Sequence, residues 1–334
     1  MSEKPSHESP KAENPRPEAS GTKIFRSIAV VGSGSIGLYY GAKLAAAGHD
    51  VRFLMRSGYE EARRDGVRIF SPNTGDVHLK DPPVFRTPEE IGPVDLVLIA
   101  VKATSNAVLP ALLPPLLHSQ TALLTLQNGL GGEEFLADHF GAERVMGGLC
   151  FVCLTRRTPA SVDHKSTGMI SIGEFGRPPL PRTHEIVGAL EAAGIRSVVA
   201  ENLASERWRK LSWNIPFNGL AVADGGKTTD QILDDPELHA ACRALMEEVI
   251  TTANALGHPI EKEFVDFQIE RTRPMGPYQP STLVDWLAGN ELEIEPIWGE
   301  PLRQARQAGL AMPHLENLYA RLRELADGSK NVRA

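Results

Sequence analysis

The sequence predicts an α/β domain followed by an all-α domain, and three observations carry the prediction. From Ser27 onward short β-branched runs alternate with stretches of helical period, the pattern of a parallel sheet with helices on its faces. A glycine-rich turn joins the first run to the first helical stretch. Beyond about residue 200 strand signals all but vanish, and the long periodic segments are helical.

A chain of 334 residues has the length of two ordinary domains. The expected division is a disordered tail over 1–26, an α/β domain over 27–200 and a helical domain over 201–330, with a ligand cleft between the folded parts. The tail is rich in Pro, Glu, Ser and Lys and has no apolar run to serve as a signal-peptide core. Pro110, Pro114, Pro115 and His118 interrupt the best candidate for a membrane span, so a soluble protein is expected. With 35 Lys and Arg against 42 Asp and Glu, no basic field invites a nucleic acid.

Three cysteines, Cys150, Cys153 and Cys242, suit a reducing cytoplasm rather than a disulfide framework. Cys150 and Cys153 form a CxxC within an apparent strand, where residues three apart face opposite ways. Core packing is expected of them, and nothing in the chain requires a metal.

The first strand is expected over 28–31, followed by others over 51–55, 94–101, 122–126 and 145–154; shorter ones over 169–173 and 197–199 finish the sheet. Helices are expected over 206–223, 236–256, 259–271, 293–308 and 315–325, with Gly309 and Pro313 punctuating the last two.

The turn Gly32-Ser33-Gly34-Ser35-Ile36-Gly37 lies directly between a strand and a helical run over 38–47. In that context GxGxxG is the dinucleotide signature of a Rossmann domain. Gly32 permits the tight turn, Gly34 admits a pyrophosphate to the backbone, Gly37 lets the helix pack on the sheet, and the helix N-terminus favours the anion. At the end of the second strand, where a carboxylate would hold the ribose of NAD, stand Arg56 and Ser57. A guanidinium pairs with a 2'-phosphate, so NADP(H) is the expected cofactor. Lys102 and Asn128 fall just past the carboxyl ends of two further strands, the rim where such sheets bind ligands.

In the helical half, Lys210, Asn214 and Asn218 recur at every fourth position, forming one stripe on an otherwise apolar helix. Such a stripe needs something polar to face. Pro216 removes a helical hydrogen bond, and a kink is expected there. A partly desolvated lysine can protonate a carbonyl oxygen, and a nearby carboxylate would keep it charged and aimed. Glu291, Glu293 and Glu295 are equal candidates for that carboxylate, and Asp285 stays open. Ser281, after Pro280, suits a helix N-cap. His164 is a rival acid, although lone histidines are more often structural.

Taken in order, these motifs resemble the ketopantoate reductases (2-dehydropantoate 2-reductases) over residues 27–326. The resemblance rests on GSGSIG, VKA at 101–103, QNG at 127–129, WxKLxxNxxxN from Trp208, the block 281–285, Glu293, and PxxExL at 313–318. It implies a helical domain like the C-terminal domain of 6-phosphogluconate dehydrogenase. It also implies NADPH-dependent reduction of 2-dehydropantoate to (R)-pantoate in pantothenate biosynthesis. Lys210 is then the catalytic acid and Glu293 its supporting carboxylate, preferred by the resemblance to Glu291 and Glu295. Asn128, Asn214, Asn218 and Ser281 match substrate-binding positions, Asn128 also bordering the nicotinamide. Lys102 and Arg56 match cofactor-side positions.

Thr282, Val284, Leu292 and Gly219 depart from the family pattern and bear on the substrate half. The alternatives are a reductase of another branched 2-oxo acid, a 3-hydroxyacid-type dehydrogenase, and an NADPH sensor without turnover. The expected partners are a small 2-oxo acid and, on the base rate for symmetric oligomers, a second copy of the chain through the helical half.

Overall fold

The computed structural model describes residues 25–331. Its first part is a ten-stranded sheet, β1 (Ser27–Val31), β2 (Asp50–Leu54), β3 (Val67–Phe70), β4 (Val77–Leu79), β5 (Val84–Phe85), β6 (Leu96–Ile99), β7 (Ala122–Thr125), β8 (Val145–Thr158), β9 (Ser161–Glu174) and β10 (Ser197–Val199). The strand order is β4-β3-β9-β8-β7-β6-β1-β2-β5, with β10 on β9. Helices α1 (Ser35–Ala46), α2 (Tyr59–Asp65), α3 (Pro88–Ile91), α4 (Leu109–Leu112), α5 (Gly132–Phe140) and α6 (Pro181–Ala192) accompany it.

Alternate side chains of β1 enter different cores, Ile28 and Val30 on one face, Ala29 and Val31 on the other. That two-sided burial is why the strand reads as an unbroken apolar run. The centre of the sheet, β2-β1-β6-β7-β8, is parallel. Two pairings depart from the parallel expectation: β8 with β9, and β3 with β4, are antiparallel. The hairpin of β8 and β9 extends well past the apolar run. Its outer part carries Arg156, Arg157, Asp163 and Lys165, whose polarity hides the strands from a hydrophobic reading.

Phe25 and Arg26, expected in the tail, belong to the folded body. The Phe25 side chain is buried, and the Arg26 amide donates to Asp95 Oδ2 at 2.8 Å. The rest of the expected tail lies outside the described residues.

After β10 the chain is helical: α7 (Leu203–Ala223), α8 (Thr229–Asp234), α9 (Pro236–Ala255), α10 (Phe264–Thr272), α11 (Ser281–Leu287), α12 (Glu300–Gln307) and α13 (Pro313–Asn331). Around α7 and α9 they enclose a core that includes Trp208, Phe217, Met246 and Trp298. Helix α7 continues through Pro216, and the buried Trp298 indole donates to the Ile215 carbonyl at 3.1 Å. A Cβ at Gly219 would lie 2.5 Å from Leu318 Cδ2, so glycine there admits α13 to the face of α7. Among the described residues no helix is long and apolar enough to cross a membrane.

Candidate active site

The glycine turn has three different local demands. Gly32 has φ +100°, and a Cβ there would lie 2.4 Å from the Val101 amide nitrogen. A Cβ at Gly37 would lie 2.1 Å from the Gly32 carbonyl oxygen. At Gly34 nothing stands within 4 Å, so the space above the N-terminus of α1 is free for an anion to approach the backbone. Ser33 Oγ donates to the Leu54 carbonyl at 2.9 Å, fastening the turn to the end of β2. Gly34, Ser35 and Ile36 line the cleft. Arg56 is exposed just beyond β2. These residues fit a dinucleotide laid across the turn.

Between the two parts lies a cleft of about 1440 Å³, lined by residues from both. Lys210 Nζ donates to Asn128 Oδ1 at 2.8 Å and to the Cys150 carbonyl at 2.9 Å. The ammonium thus spans from α7 to the loop after β7 and to β8. Desolvation pulls the Lys210 pKa down to about 8, helped by the Arg207 charge and opposed by Glu293.

The four open carboxylates separate cleanly. Glu293 lines the cleft, and its Oε1 accepts the Ala103 amide at 2.8 Å. Burial raises its pKa, and the Ala103 amide, Lys102 and Lys210 pull the other way. Asp285 also lines the cleft and pairs with Lys102 at 2.9 Å. Glu291 supplies only its backbone carbonyl, to Lys102 Nζ at 3.1 Å. Glu295 accepts the Tyr319 hydroxyl at 2.8 Å, outside the cleft lining. Lys102 therefore joins the two parts through the segment that carries Glu293.

The asparagine stripe divides as well. Asn214 lines the cleft, whereas Asn218 is only 1% exposed and stands behind it. Its Oδ1 accepts the Thr282 amide at 2.9 Å and the Ser281 hydroxyl at 3.3 Å. Ser281 is the first helical residue of α11, with Pro280 at the N-cap, which corrects the capping expectation. Asn218, reaching over from α7, satisfies the helix amide that a capping side chain would otherwise take. Ser281 itself lines the cleft.

The expectation of core packing holds for Cys150, which packs against the core of the sheet, but not for Cys153, and both are half-buried and line the cleft. Register irregularities between Phe151 and Cys153 and between Cys153 and Leu154 break strict alternation there. His164 lies away from the cleft. It is buried, Nδ1 contacts Ser71 Oγ at 2.8 Å, and the ring packs on Tyr39.

Several supports were not visible as motifs. Buried Arg207, one turn before Lys210, donates to the Gln127 carbonyl at 2.7 Å and pairs with buried Glu133. Gln127 Nε2 bonds the Val101 carbonyl at 3.0 Å and Asn106 Oδ1 at 2.6 Å. Leu130 N donates to the Pro296 carbonyl at 2.9 Å, within the π-helical turn Glu295–Gly299. Together these bonds hold the QNG loop on both sides of Asn128. The available signal was a charged residue inside an apolar helix, but its partner Glu133 lies on a distant helix.

A dinucleotide turn, a cleft and a partly desolvated lysine on a helix from the second part define an NAD(P)-dependent oxidoreductase. The family models for "Ketopantoate reductase PanE/ApbA" and its C-terminal part match residues 28–177 and 202–326. A 2-dehydropantoate 2-reductase of Nostoc sp. is 36% identical over 305 residues, 90% of this chain and 95% of that protein. The crystal structure of 2-dehydropantoate 2-reductase from Geobacter metallireducens superposes with a TM-score of 0.86 at 42% identity, covering 89% of this chain and 99% of that one. A ternary structure of D-mandelate dehydrogenase with NADH and anilino(oxo)acetate, at 20% identity, TM-score 0.82 and coverage of 91% and 99%, shares the fold. The chain belongs to the ketopantoate reductase family.

Proposed function

We propose that the protein reduces 2-dehydropantoate to (R)-pantoate with NADPH, Lys210 delivering the proton to the keto oxygen. The observation that carries this reading is the lysine held 2.8 Å from Asn128, at the rim of the nucleotide-binding sheet. The nicotinamide supplies the hydride when bound. Gly34, Ser35 and Ile36 would hold the pyrophosphate, Arg56 the 2'-phosphate and Lys102 the cofactor side of the cleft, and Asn128 would border the nicotinamide.

A lysine with a pKa of about 8 is still protonated at neutral pH yet gives up its proton readily, as a general acid requires. Asn128 and the Cys150 carbonyl aim it, and Glu293 keeps the positive form favoured. Asn214 and Ser281 present polar groups to the 2-oxo acid, and Asn218 holds Ser281 in place. The relatives named 2-dehydropantoate 2-reductase support the substrate.

A second reading, another branched 2-oxo acid, is favoured by Val284, a family departure that lines the cleft with an exposed apolar side chain. Loss of NADPH absorbance with 2-dehydropantoate, 2-oxoisovalerate and NADH run in parallel tests both. Selective turnover of 2-dehydropantoate with NADPH is expected; selective turnover of 2-oxoisovalerate would overturn the first reading in favour of the second.

A further inference from the structure

We infer that Lys165, Arg196 and Arg271 form a cationic collar at the mouth of the cleft, which draws an anionic substrate in from solution before it reaches Lys210. The inference rests on the 2-oxo acid reading above and adds how that acid is recruited.

The chain as a whole carries a net charge of -7, so its average field repels a carboxylate. The cleft has the opposite balance, with seven Lys or Arg side chains on its lining against Glu206, Asp285 and Glu293. Four of those cations are already engaged. Lys102 pairs with Asp285 at 2.9 Å and Arg209 with Glu261 at 2.9 Å, Lys210 feels Glu293, and Glu61 offsets part of the Arg156 charge. Lys165, Arg196 and Arg271 are exposed, and no ion pair engages them among the described residues. Asp163 and Glu270, beside two of them in the chain, are held instead by Arg157 at 2.8 Å and Arg273 at 3.3 Å. Glu206 offsets one charge of the three, which leaves the surplus positive.

Their placement assigns the surplus to the substrate rather than to the cofactor. Lys165 lies on β9, Arg196 just before β10, and Arg271 on α10 of the second part. In the sheet, β6, β7 and β8 separate β9 from β1, which puts β9 about 19 Å from the strand that carries the glycine turn. That is too far to serve a pyrophosphate laid on the turn. On the Lys210 side the separation is short. Ile170 of β9 is the register partner of Cys150, and its amide donates to the Arg196 carbonyl at 3.0 Å. Arg196 thus stands two strand spacings, about 10 Å, from the segment that holds Lys210, with Lys165 farther out along the hairpin. A distance near one Debye length lets these charges act on an arriving carboxylate without bonding it at the reacting position.

The test follows kcat and KM for 2-dehydropantoate, with NADPH saturating, from about 20 to about 300 mM NaCl, as the screening length shrinks from roughly 20 Å to roughly 6 Å. In the wild type kcat/KM should fall about tenfold while kcat stays level. Lys165→Gln with Arg196→Gln should start about threefold to fivefold lower in kcat/KM, show a shallower salt slope and meet the wild type at high salt. Arg26→Gln with Lys80→Gln, equal in net charge but off the cleft lining, should keep the wild-type slope. Where the first pair does not fold, Lys165→Gln alone should show the same change at reduced size. Equal salt slopes in the two double variants overturn the collar, as does a loss confined to kcat. If 2-oxoisovalerate is the acid turned over, the first reading of the substrate falls and the same series with that monoanion decides the collar. If neither acid is reduced, the reductase reading and the collar fall together.

Discussion

Lys210 Nζ and Asn128 Oδ1 meet at 2.8 Å, joining a helix of the second part to the ligand rim of the sheet. Neither residue is near the other in sequence, and each is held by its own support. Lys210 rides on the buried face of α7, while Asn128 sits in a loop pinned by Arg207 and Pro296.

Replacing Lys210 by Ala removes the proposed proton donor while leaving the glycine turn intact. We expect kcat to fall about 10²–10⁴-fold, with the dissociation constant for NADPH changed far less. Steady-state kinetics beside fluorescence titration of NADPH checks the split.

The pH dependence follows from the same group. A general acid must be protonated to act, and the Lys210 pKa is lowered from 10.5 to about 8. The reductive rate should hold below that value and fall as pH rises through it. A rate that instead increased between pH about 7 and 9 would assign the proton to another group.

Arg207 and Glu133 are buried together, so removing one charge strands the other. Glu133→Gln should cost about 3–5 kcal/mol of stability. The double replacement Arg207→Met with Glu133→Leu should recover much of that loss, yet it frees the Gln127 carbonyl and loosens Asn128. Urea denaturation should show the recovery, and kcat should remain depressed in the double variant.

Two glycines separated by one serine should respond differently to Ala. At Gly32 the added methyl meets the Val101 amide in a left-handed turn, so Gly32→Ala should lower the melting temperature. At Gly34 it meets no protein atom, so Gly34→Ala should melt like the wild type but bind NADPH more weakly. Thermal scans with and without cofactor distinguish the two.

If Arg56 holds the 2'-phosphate, Arg56→Ala should raise KM for NADPH roughly tenfold to a hundredfold, the worth of a charged hydrogen bond. KM for NADH should change little. Equal effects on both cofactors would remove Arg56 from the phosphate site.

The central parallel strands, the long helices of the second part, the glycine turn and the Lys210 stripe were legible because each depends on residues adjacent in the chain, whereas the short strands β3, β4 and β5 were not. Periodicity reports burial on one helix or strand, and GxGxxG reports a turn between neighbours. The outer hairpin of β8 and β9 was not legible, since its polar side chains carry no apolar pattern. The choice among Glu291, Glu293 and Glu295 could be made only by resemblance, because alternate positions leading into a π-helical turn that begins at Glu295 have no sequence signature for where they face.

By itself, then, the sequence determined the two-part architecture, the dinucleotide turn and the lysine on which the chemistry is proposed to rest. The tertiary structure decided that Glu293 and Asp285 line the cleft while Glu291 and Glu295 do not, that Asn218 stands behind Ser281, and that Arg207 fastens the loop bearing Asn128. Those outcomes depend on contacts between segments far apart in the chain, where packing and the need to satisfy buried polar groups select the partners. Local propensity cannot express that selection.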